Sequence, residues 1–399
     1  MEGRRVFVGF GFGAIQGGLF LCEAFRSGNF DRLVVAEVMP EVVKALRDAN
    51  GTFHVNIAGL DGIQSQAVRG MEAYNPNDPD DRARLVAALA DADEIATALP
   101  SVEFYDRGTA SVARLLAESF GKREKPGVVY AAENHNHAAE LLEEATRIRQ
   151  PGIRVPVQFL NTVIGKMSGV VVDKAEITAQ GLAPITENLP RAFLVESFNR
   201  ILITRTTLPG FKRGLDVFEE KPDLLPFEEA KLYGHNATHA LLGYLANERN
   251  LRFMSDIVEE RDLLELGREA FLRESGAALI HRHGGLDPLF TETGFRTYAD
   301  DLLERMMNPH LRDAVDRIIR DHRRKLGWND RLIGTMRLAL DAGIAPTRFA
   351  RGAAAAVHLL AAEQPEHDPA ELLDAVWGLG AKDLKRQNEI KQLIRRVPT

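Results

Sequence analysis

Hydrophobic and polar positions follow two different patterns along the chain. Between Arg5 and about Arg205, short β-branched or apolar runs alternate with helical stretches, in RVFVGF, RLVVAEV, DEIATAL, GVVYAAE, VPVQFL and GVVVDKAEI. This alternation is typical of a parallel sheet that helices cover on both faces. From Pro226 onward the chain has long amphipathic stretches with apolar residues at helical spacing. The pattern therefore predicts an α/β domain followed by a mainly α-helical domain.

The segment TTLPGFKRGLDVFEEKPDLLP, residues 206–226, separates the two patterns. It is rich in proline, glycine and charge, which is typical of a connection. A chain of 399 residues is long enough for two domains. We therefore expect an N-terminal domain over residues 1–205 and a C-terminal domain over residues 206–399.

A glycine-rich turn follows the first predicted strand, in VFVGFGFGAIQGGLF. A strand that runs through glycines into a helix can seat a diphosphate against the helix N-terminus, because small residues let the backbone approach the ligand. Glu37, near the end of the second predicted strand, is placed to accept hydrogen bonds from the ribose of NAD. The alternative is a plain tight turn with a solvated acidic residue. The predicted cofactor residues are Gly11, Gly13, Ala14, Ile15, Gln16 and Glu37.

Composition narrows the class of protein. The formal net charge of −7 and the pI near 5.9 argue against binding to nucleic acid or to an anionic membrane surface. A single cysteine, Cys22, cannot form an internal disulfide, and the chain does not open with a signal-like segment, so we expect a cytoplasmic protein. No apolar run has the length of a membrane span.

The segment KLYGHNATH carries the strongest chemical signal. Asn236 and His239 are spaced by about one helical turn, and Lys231 precedes them by one to two turns. An amine with a lowered pKa can accept the proton of an alcohol, while an amide and an imidazole hold the oxygen as it becomes a carbonyl. The alternative is that all three are ordinary surface or core residues of a helix.

This K-x4-N-x2-H pattern resembles the signature of the polyol-specific long-chain dehydrogenases. The segments AAEN at 131–134, RESGAALIHRHG and NPHLRDAVDRIIRDHRRKLGWNDRLIG are also similar to that family. The resemblance covers most of the chain and is strongest over residues 225–345. It implies an α/β Rossmann-type N-terminal domain, a helical C-terminal domain, NAD as cofactor, no metal, and an active site between the domains.

The resemblance also implies roles for individual residues. Lys231 would be the general base, and Asn236, His239 and Asn134 would polarise and hold the reacting oxygen. The expected reaction moves a hydride between NAD and a polyol, in particular a polyol phosphate such as mannitol 1-phosphate, with the ketose as product. The alternatives are an unphosphorylated polyol, a cyclitol or a sugar acid as substrate, and a non-catalytic NAD-binding protein.

Two positions depart from the family pattern. Gln16 stands where the family has a glycine, and Gly165 with Lys166 replaces an Asp-Arg pair whose aspartate helps to bind polyol hydroxyls. The identity of the substrate therefore stays open. The resemblance makes three residues candidates for substrate binding: Arg320, Lys325 and Lys166. Because Arg320 and Lys325 are five apart, we expect the helix to end or bend between them if both reach one phosphate.

The remaining histidines and the cysteine predict no further chemistry. His281 and His283 are two apart at a predicted helix end and do not share a face, so we do not expect a metal site there. His135 and His137 in ENHNH are interpreted as loop or cleft-lining residues. Cys22 lies among apolar neighbours and is expected to be a buried, inert thiol.

Overall fold

The computed structural model of the protein describes residues 4–378 and 383–397. The chain forms two compact units, of which the first ends at Leu225 and the second begins at Pro226. The sequence pattern placed this boundary between residues 205 and 206. The structure assigns residues 206–225 to the first unit, where the stretch adds a strand, Phe218–Lys221, to a sheet.

The first unit contains the strands of the protein. In its described part these are β1 (Val6–Phe10), β2 (Arg32–Ala36), β3 (Phe53–Ala58), β4 (Ile63–Val68), β5 (Met71–Tyr74), β6 (Glu94–Thr97), β7 (Gly127–Ala131), β8 (Val157–Val163), β9 (Ser168–Val171), β10 (Ala192–Glu196), β11 (Ile201–Thr204) and β12 (Phe218–Lys221). An eight-stranded sheet has the order β12-β11-β8-β7-β6-β1-β2-β5, and a four-stranded sheet has the order β4-β3-β10-β9.

The larger sheet is mainly parallel, as the sequence pattern predicted. Its strands from β8 to β5 all run parallel, and β11 pairs antiparallel with β8. The first five predicted strands correspond to β1, β2, β6, β7 and β8. The sixth, GVVVDKAEI, is only partly a strand: β9 ends at Val171, and a helix follows because Asp173 caps it by accepting a hydrogen bond from the backbone N–H of Glu176 at 2.8 Å.

Helices cover the larger sheet. In the first unit they are α1 (Cys22–Ser27), α2 (Pro40–Asp48), α3 (Pro79–Ala90), α4 (Val112–Phe120), α5 (Ala138–Arg149) and α6 (Lys174–Ala179), with a π-helical segment, Gln16–Leu21, immediately before α1 and a 3-10 segment, Val102–Asp106, before α4. Helices α3, α4 and α5 bury leucines against one face of the sheet. The other face packs against α1, α2 and the smaller sheet. The predicted α/β Rossmann-type domain is thus confirmed, and the smaller sheet is an addition that the sequence analysis missed.

Gly17 and Gly18, in the π-helical segment before α1, allow close packing against the smaller sheet. A Cβ atom added at Gly17 would lie 2.4 Å from Cε2 of Phe193, and one added at Gly18 would lie 2.5 Å from Cγ1 of Val195. Both partners are buried residues of β10. Glycine is therefore needed at these positions so that the first helix can approach the smaller sheet.

This close approach predicts a loss of stability in Gly17→Ala. The added methyl group overlaps the ring of Phe193, and overpacking of this kind costs about 1–3 kcal/mol. The midpoint of urea unfolding, followed by circular dichroism, measures the change. Gly169→Ala is the matched control, because an added Cβ there meets no atom within 4 Å. Equal midpoints for the two variants would contradict the packing role.

The described part of the second unit consists of helices and their connections, as predicted, and its one β-pairing is an isolated bridge between Phe253 and Ala314. Its α-helices are α7 (Leu225–Glu229), which begins at the boundary, α8 (Ala237–Glu248), α9 (Arg261–Ala270), α10 (Ala277–His283), α11 (Glu292–Met306), α12 (Val315–Ile319), α13 (His322–Lys325), α14 (Ile333–Asp341), α15 (Thr347–Glu363), α16 (Pro369–Trp377) and α17 (Leu384–Arg395). Short 3-10 segments span Met254–Glu259 and Pro288–Phe290, and π-helical segments span Ala230–Asn236 and Phe271–Gly276.

Helix α8 forms the centre of the second unit. Its residues from Ala237 to Ala246 are all buried, which fits a sequence that is apolar on nearly every side. Neighbouring helices approach it closely: a Cβ added at Gly243 would lie 2.6 Å from Ile318, and one added at Gly352 would lie 2.7 Å from Leu241. A rigid, buried helix therefore follows directly after the segment that carries the KLYGHN motif. No helix in the part of the chain that the structure describes is both long and apolar enough to cross a membrane.

Candidate active site

Lys231, Asn236 and His239 lie along one helix of the second unit. The segment Ala230–Asn236 is π-helical, and α8 continues it. Because hydrogen bonds of a π-helix join residues five apart, Lys231 and Asn236 are about one turn from each other. Asn236 and His239 are three apart, which is about one turn of an α-helix. The π-helical segment therefore aligns the three side chains more closely than an uninterrupted α-helix would, and π-helical turns of this kind are frequent at functional sites.

Lys231 has the electrostatic environment of a base. Burial, assisted by the positive charge of Arg331 and opposed by Glu228, lowers the pKa of Lys231 from 10.5 to about 8. An exposed lysine would be almost entirely protonated near neutral pH. A substantial neutral fraction of the amine is thus available at mildly alkaline pH.

His239 is held beside a buried carboxylate. Its Nε2 atom lies 3.0 Å from Oδ2 of Asp313, although the two groups are not aligned as a hydrogen bond. Arg317 donates from Nε to Oδ1 of Asp313 at 3.0 Å. Burial by itself raises the pKa of Asp313, but the neighbouring His239 and Arg317 outweigh burial, so the net pKa of Asp313 is lowered. Asp313, which no sequence motif indicated, therefore places a negative charge beside the imidazole.

A second histidine accompanies this group. His235 is buried, and its ring centroid lies 6.1 Å from that of His239. Burial lowers the pKa of His235 well below its ordinary value, and the neighbouring His239, Arg305 and Lys231 act in the same direction. A neutral His235 adds no further positive charge beside Lys231.

Asn134 belongs to the first unit, where it is exposed in the loop after β7. The preceding residue, Glu133, is buried and braces this loop. Its carboxylate accepts hydrogen bonds from the backbone N–H of Leu99 and the hydroxyl of Thr97, each at 2.8 Å, and from the hydroxyl of Tyr105. Burial raises the pKa of Glu133. Glu133 thus joins the loops that follow β6 and β7, a role that the AAEN segment alone did not indicate.

The opening turn leaves room for a ligand at the carboxyl end of β1. Gly11 has a φ of +79°, which favours glycine, and its N–H donates to the carbonyl of Ala36 at 2.9 Å. A Cβ added at Gly13 would meet no atom within 4 Å. Ala14 and Ile15 open the helix, and the first N–H groups of a helix attract anions. The turn therefore fits a diphosphate.

Glu37 lies at the same edge of the sheet, directly after β2. Its side chain is buried and its Oε1 atom accepts a hydrogen bond from the backbone N–H of Met39 at 2.9 Å. A carboxylate held at this strand end suits the ribose hydroxyls of a nicotinamide adenine dinucleotide. The residues of this edge therefore fit NAD.

Gln16 is the exception among the predicted cofactor residues. Its side chain is fully buried, and a Cβ added at Gly9 would lie 2.0 Å from Gln16 Nε2. The amide is thus directed against β1 inside the unit, so we no longer assign the side chain of Gln16 to the cofactor. Neither of its polar atoms has a hydrogen-bond partner among the described residues.

Lys166 is also placed differently from the expectation. Its Nζ atom donates to the carbonyl of Glu196, to the carbonyl of Phe198 at 2.9 Å and to Oδ1 of Asn199 at 2.6 Å. An ammonium group has three N–H donors, and these three acceptors occupy them. Burial lowers the pKa of Lys166 to about 8. We therefore assign Lys166 to the support of the loop between β10 and β11, and no longer to the substrate.

The expected interruption between Arg320 and Lys325 is present. Helix α12 ends at Ile319, α13 begins at His322, and Asp321 between them has a φ of +63°. Arg320 is exposed, whereas Lys325 is buried. The two residues thus differ in environment, and the chain turns between them.

The other singled-out side chains have structural roles. Cys22 is buried, and burial raises the pKa of its thiol to about 11. His283 is buried, with its Nε2 atom 2.6 Å from Oε2 of Glu229. Within residues 4–378 and 383–397, no three His, Cys, Asp or Glu side chains are grouped so that they can hold a metal ion.

Fold and site together define a class of protein. The first unit has a strand, a glycine turn and a helix, with an acidic residue at the end of the second strand. The second unit is helical and presents a lysine, an asparagine and a histidine along one helix. This is the organisation of a Rossmann-type dehydrogenase with a helical second domain. The profile of the mannitol dehydrogenase C-terminal domain family matches residues 223–398. The chain belongs to the mannitol dehydrogenase family.

Curated relatives extend the match over both units. The mannitol-1-phosphate 5-dehydrogenase of Geobacillus thermodenitrificans is 30% identical over 336 residues, which are 82% of this chain and 79% of the relative. The enzyme of the same name from Anoxybacillus flavithermus is 28% identical over 357 residues, covering 87% of this chain and 86% of the relative.

Solved structures share the fold. Pseudomonas fluorescens mannitol 2-dehydrogenase, in a ternary complex with NAD and D-mannitol, is similar with a TM-score of 0.73 and 14% identity, covering 99% of this chain and 91% of that chain. A D-sorbitol dehydrogenase in substrate-free form is similar with a TM-score of 0.74 and 15% identity, covering 98% of this chain and 92% of that chain.

Proposed function

We propose that this protein is a NAD-dependent dehydrogenase that interconverts a secondary alcohol of a polyol with the corresponding ketose, and that its substrate is a polyol phosphate such as mannitol 1-phosphate. The observation that carries the proposal is the alignment of Lys231, Asn236 and His239, in which burial lowers the pKa of the lysine to about 8. The names of the curated relatives support the phosphorylated substrate.

The side chains divide the work of alcohol oxidation. Lys231 accepts the hydroxyl proton in its neutral form, so that the oxygen can form a carbonyl as the carbon loses its hydride. Asn236, His239 and Asn134 donate to or hold that oxygen. Asp313 places a negative charge beside the imidazole of His239. When bound, NAD supplies the hydride acceptor. In ketose reduction, protonated Lys231 returns the proton.

A panel assay tests the function. Purified protein is mixed with NAD and with mannitol 1-phosphate, mannitol, other polyols and their phosphates, cyclitols and sugar acids, and the absorbance of NADH is followed. We expect the highest kcat/KM for a polyol phosphate. No turnover with any substrate, together with tight NAD binding, would favour a non-catalytic NAD-binding protein.

A free polyol is the second candidate substrate. The chain has Gly165 and Lys166 where the resemblance leads us to expect an Asp-Arg pair, and Lys166 is engaged by the loop between β10 and β11. The solved mannitol 2-dehydrogenase with the same fold holds D-mannitol. A higher kcat/KM for a free polyol in the same panel would select this alternative.

Glu37 predicts the cofactor preference. Its carboxylate accepts hydrogen bonds from the ribose hydroxyls of NAD and repels the 2′-phosphate of NADP. We therefore expect kcat/KM with NAD to exceed that with NADP by about 10- to 100-fold. In Glu37→Ala the preference should fall toward equality. Glu41→Ala, an exposed position on α2, is the control and should keep it. If Glu37→Ala retains the wild-type ratio, the end of β2 does not select the cofactor.

A further inference from the structure

Lys325 is a buried lysine without a counter-charge in contact with it. The residue is 3% exposed, and its side-chain ammonium group has no hydrogen-bonding or ion-pairing partner among the described residues. Burying an ammonium group without a partner is unfavourable. A binding partner from outside the chain, with negative charge, would stabilise this arrangement.

A second cation lies next to Lys325. The backbone N–H of Leu332 donates to the carbonyl of Lys325 at 3.4 Å, and Gly334 donates to Asp330 at 2.7 Å. These bonds fold residues 325–334 into a compact loop, and the positive charge of Arg331 acts on Lys325. The Nε atom of Arg331 donates to Asp330 at 2.9 Å, while its two terminal nitrogens donate to no group in the described part of the chain. The outer fork of the guanidinium is thus available to a ligand.

The same loop is fastened to the segment that carries Lys231. The hydroxyl of Tyr233 donates to the carbonyl of Asn329 at 3.3 Å, and the hydroxyl of Thr335 donates to the carbonyl of Tyr233 at 3.2 Å. Burial followed by the positive charge of Arg331 lowers the pKa of Lys325 to about 8, as it does for Lys231. Arg331 therefore lies within electrostatic reach of both lysines.

The geometry points to an oxyanion site formed by Lys325 and Arg331, which we propose binds the phosphate group of a phosphorylated polyol whose hydroxyl reacts at Lys231. A guanidinium fork suits two oxygens of a phosphate, and an ammonium group adds a compact positive charge. This inference rests on the proposed function, and it replaces Arg320 by Arg331 as the partner of Lys325. The negative charge of the bound phosphate group would also offset the positive charges of Lys325 and Arg331.

Inorganic phosphate tests the site without turnover. We expect phosphate, added against chloride at constant ionic strength, to raise the melting temperature of the full-length wild type and of Arg323→Met, an exposed arginine of the same segment. Arg331→Met should lose this increase, and Arg331→Lys, which keeps the charge but not the fork, should retain part of it. If phosphate does not stabilise the wild type, or stabilises Arg331→Met equally, the site is refuted.

Kinetics provide the second test. The ratio of kcat/KM for mannitol 1-phosphate to that for mannitol should fall by about 10- to 100-fold in Arg331→Met, the scale of a lost charge-assisted hydrogen bond. Loss of the ratio in Arg320→Met with retention in Arg331→Met overturns the inference. Polyol oxidation without a phosphate preference refutes the site and the phosphorylated substrate, and leaves the proposed polyol dehydrogenase activity intact. Arg331-dependent phosphate binding without turnover of any polyol supports the site and contradicts the function.

Discussion

Replacing Lys231 with methionine is expected to lower kcat by about 100-fold or more, while the affinity for NADH stays unchanged. Methionine preserves most of the side-chain volume but cannot accept a proton, and loss of a general base usually costs a factor of this size. Stopped-flow or steady-state NADH absorbance measures kcat, and quenching of protein fluorescence measures NADH binding. Lys385→Met, at an exposed position of α17, is the matched control and should behave as the wild type.

The pH dependence identifies the group that is lost. Because burial lowers the pKa of Lys231 to about 8, the neutral amine increases as pH rises and dominates above that value. The rate of polyol oxidation should therefore rise with pH and level off above about 8, whereas ketose reduction, which needs the protonated amine, should fall over the same range. A kcat of Lys231→Met close to that of the wild type, or a wild-type oxidation rate that does not change through this range, would remove Lys231 from the role of base.

Asn236→Ala is expected to lower kcat by about 100- to 1,000-fold, the usual cost of removing one donor that stabilises a developing oxyanion. The π-helical segment places Asn236 one turn from Lys231, so that its amide can interact with the oxygen that loses its proton to the lysine. Steady-state kinetics with the best substrate of the panel measure the effect.

Asn247→Ala controls for the loss of an amide from the same helix. Asn247 lies near the carboxyl end of α8, about three helical turns from Asn236, and its replacement should leave kcat unchanged. If Asn236→Ala raises KM while kcat remains at the wild-type value, Asn236 binds the ground state and does not stabilise the transition state.

Much of the fold was predictable because it depends on local patterns. Runs such as RVFVGF and RLVVAEV predicted β1 and β2, since β-branched residues flanked by turns favour strands. The smaller sheet was missed because its two halves are distant in the chain: β3 and β4 pair with each other, but β3 also lies beside β10, which comes more than a hundred residues later. Periodicity within a short window carries no information about such pairing.

The candidate site was predictable to a smaller extent. Lys231, Asn236 and His239 are close in sequence, so a motif could select them. Asp313 and Arg331 are distant in sequence from that motif, and an aspartate or an arginine on a helical segment is most often a solvated residue. Only the folded chain shows that one lies beside His239 and that the other lies on the loop fastened to Tyr233.

The sequence by itself determined the order of an α/β unit and a helical unit, the glycine turn after β1, and the KLYGHNATH segment. Each of these features depends on residues that are close together in the chain. The tertiary structure alone decided what the individual side chains contact. It directs Gln16 against Gly9 and Lys166 to the loop between β10 and β11, and it requires glycine at position 17 because Phe193 occupies the adjacent space. The physical reason is that burial, desolvation and close contact depend on residues that the chain brings together only when it folds.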